Sequence, residues 1–189
     1  IPIRIHPGFF VVAAFLTWIP GDLSLVAVGM GCIFLSILVH ELGHALLAQS
    51  CGWPPHIVLH YFGGYASYIP SSGYTRGKRL AIILAGPGAG FMLWGLSYAF
   101  REYIAINNPN LLINNRHLFF AVQTLIWINL YWSLLNLIPV FPLDGGQAAQ
   151  QILEGINPRE GLIWTLQLGI AAGVITALAF GYMHQQGYG

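Results

Sequence analysis

Charge is what this sequence has least of. Seven of 189 residues are Lys or Arg and six are Asp or Glu, 7% together, against 56% apolar. A water-soluble domain carries about 25% charged residues, so an ordinary soluble globule is not the expected class. The net charge of +1 offers no basic surface to a phosphate backbone, which argues against nucleic acid as a partner. Cysteine is scarce too. Cys32 and Cys51 fall within and at the end of one predicted helix, too far apart along it to pair. A disulfide scaffold is therefore excluded, and both read as small apolar thiols. No repeat, low-complexity tract or charged tail stands out, so a single domain over residues 1–189 is expected.

What the chain does have is long apolar runs. A membrane helix needs about 20 mostly apolar residues. Residues 23–50, 78–100, 117–138 and 161–183 meet that length. The second is expected to break at Gly86-Pro87-Gly88. Residues 8–19 form a weaker fifth candidate. The predicted fold class is an all-α polytopic membrane protein, a bundle of about five to six transmembrane helices with a small membrane-associated β-hairpin. The hairpin comes from IVLHYFGGYASYI, residues 57–69, where Gly63-Gly64 between β-branched and aromatic runs signals the turn. The Asn-rich stretch 101–116 reads as a solvent loop, and 143–155 as a short helix opening at Asp144. If the first segment crosses, Arg4, Arg76, Lys78, Arg79 and Arg159 share one face and Arg101 and Arg116 the other. That asymmetry makes the first face cytoplasmic.

Ionisable groups inside an apolar run are costly, by about 2.5–3.5 kcal/mol each at a span's centre. Yet HELGH, residues 40–44, places three of them in the first long span. Side chains four apart on a helix lie one turn apart on one face, so His40 and His44 can grip one metal ion together. Glu41 then sits beside the open coordination position of a catalytic zinc, where it can take a proton from water. A satisfied buried histidine pair is the plainer alternative, but it leaves the cost of three such groups without a compensating partner.

A catalytic zinc takes a third protein ligand. His6, His56, His60, His117 and His184 are candidates, as are a few carboxylates. Asp144 stands out within NLIPVFPLDGG, residues 136–146. Pro139 and Pro142 stop the preceding helix, and Gly145-Gly146 permit close backbone approach. An isolated acid thus arrives at the depth of the two histidines. A plain N-cap aspartate is the alternative reading.

HELGH in one span with N-x-x-P-x-x-P-L-D-G-G at the end of a later one resembles the site-2 protease family of intramembrane zinc metalloproteases. IPIRIHPGFF at the start, FGG at 62–64 and AGPGAG at 85–90 are similar to that family as well. The compact type without an inserted PDZ domain fits best, as in the proteases that process sporulation pro-sigma factors. The resemblance implies one zinc ion held by His40, His44 and Asp144, with Glu41 as catalytic glutamate. It implies that Asn136 helps bind substrate or steady the oxyanion, a role an amide donor can fill; an interhelical hydrogen bond is the alternative. Relatives often carry asparagine where this chain has Gly90, which leaves close packing as the reading of Gly86, Gly88 and Gly90.

The implied activity is hydrolysis of peptide bonds within or beside transmembrane segments of membrane-protein substrates. The lipid bilayer is the medium, and a regulatory membrane partner or a homo-oligomer is compatible with it. The expected location is the cell membrane of a bacterium or archaeon, with the site near the cytoplasmic side. The hairpin around Gly63 and Gly64 is expected to take an unwound substrate as an added strand. Two rivals come from other classes. A catalytically inactive zinc-binding scaffold would have no need of Glu41, and an ion transporter would string more acids and histidines through the spans.

Overall fold

The computed structural model describes residues 1–71 and 73–185, with side chains at 179–180 and 183–185 set apart. The order of elements is β1 (Ile3–Ile5), α1 (Gly8–Leu16), α2 (Leu23–Ser50), β2 (Pro55–His60), β3 (Gly63–Tyr68), α3 (Arg76–Asn107), α4 (Pro109–Asn114), α5 (Arg116–Asn136), α6 (Asp144–Ile156) and α7 (Gly161–Gln185). Among the described residues α2, α3, α5 and the Gly161–Leu178 stretch of α7 are long and apolar enough to cross a bilayer. Three of these four begin on a side-chain cap, which satisfies otherwise orphaned backbone donors. Asp22 accepts from Leu25 N–H at 3.1 Å, Thr75 from Lys78 N–H at 3.2 Å and Asn115 from Leu118 N–H at 3.0 Å. The outward faces are apolar: Phe15, Leu23, Met92 and Ile170 are each more than two-thirds exposed. Such a surface suits lipid, and the expected helical membrane bundle with a small sheet is what the chain forms.

Four local expectations are corrected. The weak fifth segment forms the nine-residue α1, about 13 Å long at 1.5 Å per residue, well short of a bilayer core of about 30 Å. Gly86-Pro87-Gly88 does not break its helix; α3 runs through Pro87 for 32 residues. Residues 101–116 are not a solvent loop, because α3 continues to Asn107 and α4 follows at Pro109. Tertiary packing supplies what propensity lacks there, with Ile104 buried. The hairpin turn is Tyr61-Phe62, and Gly63 and Gly64 open β3, opposite His60 and Leu59. The hairpin also gains a third strand, since β1 pairs in parallel with β2.

The sheet lies against the C-terminal half of α2. Ile57 and Leu59 of β2 share a core with Ile33, Ile37 and Ala45 of α2 and with Phe9 and Ala13 of α1. At the opposite end Asp22 pairs with Arg116 at 2.6 Å, and Ser24 Oγ lies 2.8 Å from His117 Nε2. These contacts tie the start of α2 to the start of α5. The sheet, the start of α3 and the turn into α6 therefore gather at one end of the bundle. Small residues let the helices close on one another. A Cβ on Gly43 would strike the Ala85 backbone, and one on Gly90 would strike Ser133 Oγ.

Candidate metal centre and active site

His40 and His44 stand one turn apart on α2 and point into the protein, 2% and 7% exposed. Asp144 reaches them from α6. Its Oδ2 lies 3.1 Å from His40 Nε2 and 3.3 Å from His44 Nε2, and the two Nε2 atoms are 3.3 Å apart. Asp144 is the first residue of α6, not its cap. Leu143 holds the cap position, and no side chain caps the helix. The carboxylate is thus free to face the imidazoles. Gly145 and Gly146 make this possible, because a Cβ on either would run into the backbone of the Leu137–Phe141 turn. Burial pushes the Asp144 carboxyl up, but hydrogen bonds to both histidines outweigh it and hold the group below the usual carboxylate range.

The donor set fits a divalent ion. One ligand atom from each of His40, His44 and Asp144 lies within 4.8 Å of the other two. His44 Nδ1 donates to the Ile82 carbonyl at 2.7 Å, which turns its Nε2 towards Asp144; that nitrogen donates to the carboxylate without an ion and, once deprotonated, would offer its lone pair to one. Two imidazole nitrogens and one carboxylate leave a fourth tetrahedral position open, as catalytic zinc sites do. Gly86 clamps the arrangement, since a Cβ there would overlap the His44 ring. Gly86→Val is therefore expected to weaken zinc binding at least about tenfold, the scale seen when groups that orient a ligand are disturbed. Competition with a chromogenic chelator measures this, and an unchanged affinity would contradict the clamp.

Glu41 is buried at 4% exposure and faces the same space, a cavity of about 440 Å³ lined by His40, Glu41, His44, Asn136 and Asp144 with β3 and Trp132. A backbone N–H of β3, that of Ala66, faces its carboxylate. Gly64 lies so close that a Cβ would come 2.8 Å from Glu41 Cγ. Asn136 is 9% exposed, and its Nδ2 donates to the Trp132 carbonyl at 2.9 Å. It borders the cavity from the last turn of α5.

β3 is one of the two edge strands of the sheet, in the order β1-β2-β3. Ile57 N–H and the Leu59 carbonyl are bonded towards β1, to Pro2 and His6. Alternation then directs the backbone groups of His56, Val58 and His60 to β3. Their partners there are Ser67, Tyr65 and Gly63. The backbone groups of Gly64, Ala66 and Tyr68 point the other way, along the free edge, and all three residues border the cavity.

The structure thus brings His40, Glu41, His44, Asn136, Asp144 and Gly64 together, while Gly63 packs beneath the Trp132 ring at 3.1 Å from a built Cβ. The other ligand candidates lie elsewhere. His6 Nδ1 accepts from Gly8 N–H, His56 is exposed, and His117 is at the far end of α2. His60 borders the cavity, and its Nδ1 accepts from Phe62 N–H at 3.1 Å. His184 lies outside the described side chains. Sequence reasoning missed the Ile82 carbonyl, the Ala66 N–H and Trp132, since backbone groups leave no mark in a sequence and one tryptophan among six carries no spacing signal. It did find Gly86 and Gly90 as close-packing positions; Gly88 has open space beside it.

Comparison with known proteins agrees with this geometry. Residues 101–180 match Peptidase family M50. Stage IV sporulation protein FB of Bacillus subtilis is 28% identical over 177 residues, covering 88% of this chain and 56% of the relative. A zinc metalloprotease of Methanocaldococcus jannaschii is 34% identical over 159 residues, 82% of this chain and 43% of the relative. The chain spans about half the length of the curated relatives it matches. The solved structure of the site-2 protease from Methanocaldococcus jannaschii superposes with a TM-score of 0.62 at 26% identity, over 97% of this chain and 81% of that one.

Proposed function

We propose that this chain is a member of peptidase family M50, the site-2 protease type, as its matches support, and that it hydrolyses peptide bonds within or next to transmembrane segments of membrane-protein substrates. One observation carries the proposal. Two histidines of a membrane helix, a carboxylate from a distant turn and a separate buried glutamate converge on one cavity.

His40, His44 and Asp144 would hold zinc, which when bound supplies Lewis-acid polarisation of a carbonyl and an acidified water. Glu41 takes the proton from the attacking water at its carboxylate and passes it to the departing amide nitrogen. The Ala66 N–H and the packing of Gly64 against its stem fix that carboxylate in place. Asn136 stands where its amide can donate to the developing oxyanion once it turns from the Trp132 carbonyl. The surrounding apolar helices keep bulk water from the reacting groups.

A substrate helix hides its backbone, so it has to unwind before a peptide bond can reach Glu41. The edge of β3 offers the backbone partners for an unwound segment, through Gly64 and Tyr68, with Ala66 N–H already engaged by Glu41. The excess of basic residues at the sheet end, Arg4, Arg76, Lys78, Arg79 and Arg159 against Arg101 and Arg116, supports a cytoplasmic position for the site.

The test uses the full chain in proteoliposomes with zinc and a panel of synthetic transmembrane peptides, their products read by mass spectrometry. Cleavage is expected inside or beside the apolar segment, lost on chelation and restored by zinc. Alternate N-methylation of the cleaved peptide is expected to slow the reaction about fivefold or more at every second amide, the worth of about one hydrogen bond. A chain that binds zinc one to one and cleaves no peptide of the panel would sink the proposal, and an N-methylation series without alternation would remove the strand-addition step.

A further inference from the structure

Beside the catalytic cavity lies a second recess of about 230 Å³. Phe9, Val12 and Ile33 line it and not the catalytic cavity. His60, Phe62 and Trp132 line both it and the catalytic cavity. The two spaces therefore share a wall. The Trp132 ring is part of it, seated against Gly63, where a Cβ would come 3.1 Å from the indole. Trp132 Nε1 is buried with no hydrogen-bond partner among the described residues, so packing alone holds the ring.

We propose that this recess is the pocket for one large apolar side chain of the substrate, close to the bond that is cut, and that Trp132 sets the size it accepts. The proposal rests on the catalytic reading of the neighbouring cavity. Continuity is the first reason. A segment added along the free edge of β3 passes Gly64 and reaches the turn at Tyr61-Phe62, where the recess opens. Chemistry is the second. Apart from His60, the Tyr61 hydroxyl and the Trp132 indole N–H the lining of the recess is apolar, with no Asp, Glu, Lys or Arg, so a charged substrate side chain placed there would lose more hydration than these groups return. Volume is the third. The space admits a leucine or phenylalanine side chain and leaves a methyl group loosely held. Substrates of transmembrane character carry such side chains at most positions, so the recess sorts them by size and shape.

The probes are zinc-directed dipeptide hydroxamates whose side chain grows from alanine through leucine and phenylalanine to naphthylalanine. Their dissociation constants are measured by calorimetry on the zinc-loaded full chain in nanodiscs. The unmodified protein is expected to bind the phenylalanine probe at least about tenfold more tightly than the alanine probe, since each added methylene in an apolar pocket is worth about that factor. Val12→Trp fills the recess from α1. It is expected to flatten the series, leaving the alanine probe within about twofold. Trp132→Ala removes the wall and shifts the optimum to naphthylalanine; if it does not fold, Val12→Trp decides. A flat series in the unmodified protein, or a Val12→Trp variant that weakens every probe equally, overturns the pocket. If dibrominated phosphatidylcholine quenches the emission that the unmodified protein loses on Trp132→Phe, Trp132 being one of six tryptophans, while the series stays flat, the recess holds a lipid tail and the proposal is likewise wrong. Failure of every hydroxamate to bind a zinc-loaded protein overturns the catalytic reading as well, which separates the two failures.

Discussion

Proteolysis by a Glu41→Gln variant is expected to fall by about two to four orders of magnitude, the usual contribution of a positioned acid–base group, while zinc stays bound. Gln has the shape of Glu, so the tight space between Glu41 Cγ and Gly64 accommodates it. What is lost is the proton acceptor. Glu41 is not among the three side chains that converge on one point, so zinc stoichiometry by elemental analysis is expected to remain at one per chain. Zinc-dependent thermal stabilisation should persist as well. The pairing of the two readouts is what gives the experiment force. A site that kept zinc only for stability would show the same metal content and no activity in either protein. A variant that keeps both zinc and full cleavage would remove Glu41 from the mechanism, and with it the reason to place a carboxylate in so dry a position.

Much of this site was legible because membrane solvation exaggerates the signals. In a soluble chain a five-residue His/Glu pattern is common; inside α2 each ionisable group stands against an apolar background, so HELGH marks itself. Asp144 was legible for the same reason, with two prolines and two glycines around it to show that the chain stops and turns there. The span positions followed from length and apolarity alone. Local conformation was harder. Gly63-Gly64 reads as a turn because glycine tolerates positive φ, and Gly63 does have φ 120°. Yet the pair serves close packing, Gly63 under Trp132 and Gly64 on Glu41, and no single-sequence rule separates the two uses. The stretch after Phe100 reads as solvent loop because of its asparagines, yet Asn115 caps α5 and, with Asn108, flanks the short α4. Pro87 inside α3 reads as a break when its neighbours are unknown; in the folded chain the segment around it is clamped between α2 and α5, with Gly86 on His44 and Gly90 on Ser133.

Asp144→Asn is expected to raise the zinc dissociation constant by about a hundredfold or more, beyond the 10- to 100-fold that loss of a supporting partner costs. Its effect on stability distinguishes a ligand from a helix cap. Asn caps a helix about as well as Asp, so a capping Asp144 would tolerate the change in melting temperature and in metal binding alike. A ligating Asp144 behaves otherwise. With zinc held at 100 times the unmodified protein's dissociation constant, binding stabilises the fold by about 2.7 kcal/mol. A hundredfold weaker site under the same conditions retains about 0.4 kcal/mol by the same relation. The zinc-induced rise in melting temperature should therefore nearly vanish, and it is read against each protein's own metal-free value, so that any loss of the Asp144 contacts to His40 and His44 does not enter it. Equal zinc-induced shifts in the two proteins would return Asp144 to a local role and leave His40 and His44 without their third ligand. The catalytic reading would then have no metal centre on which to stand, because no other group of three or more His, Cys, Asp or Glu among the described residues converges in this way.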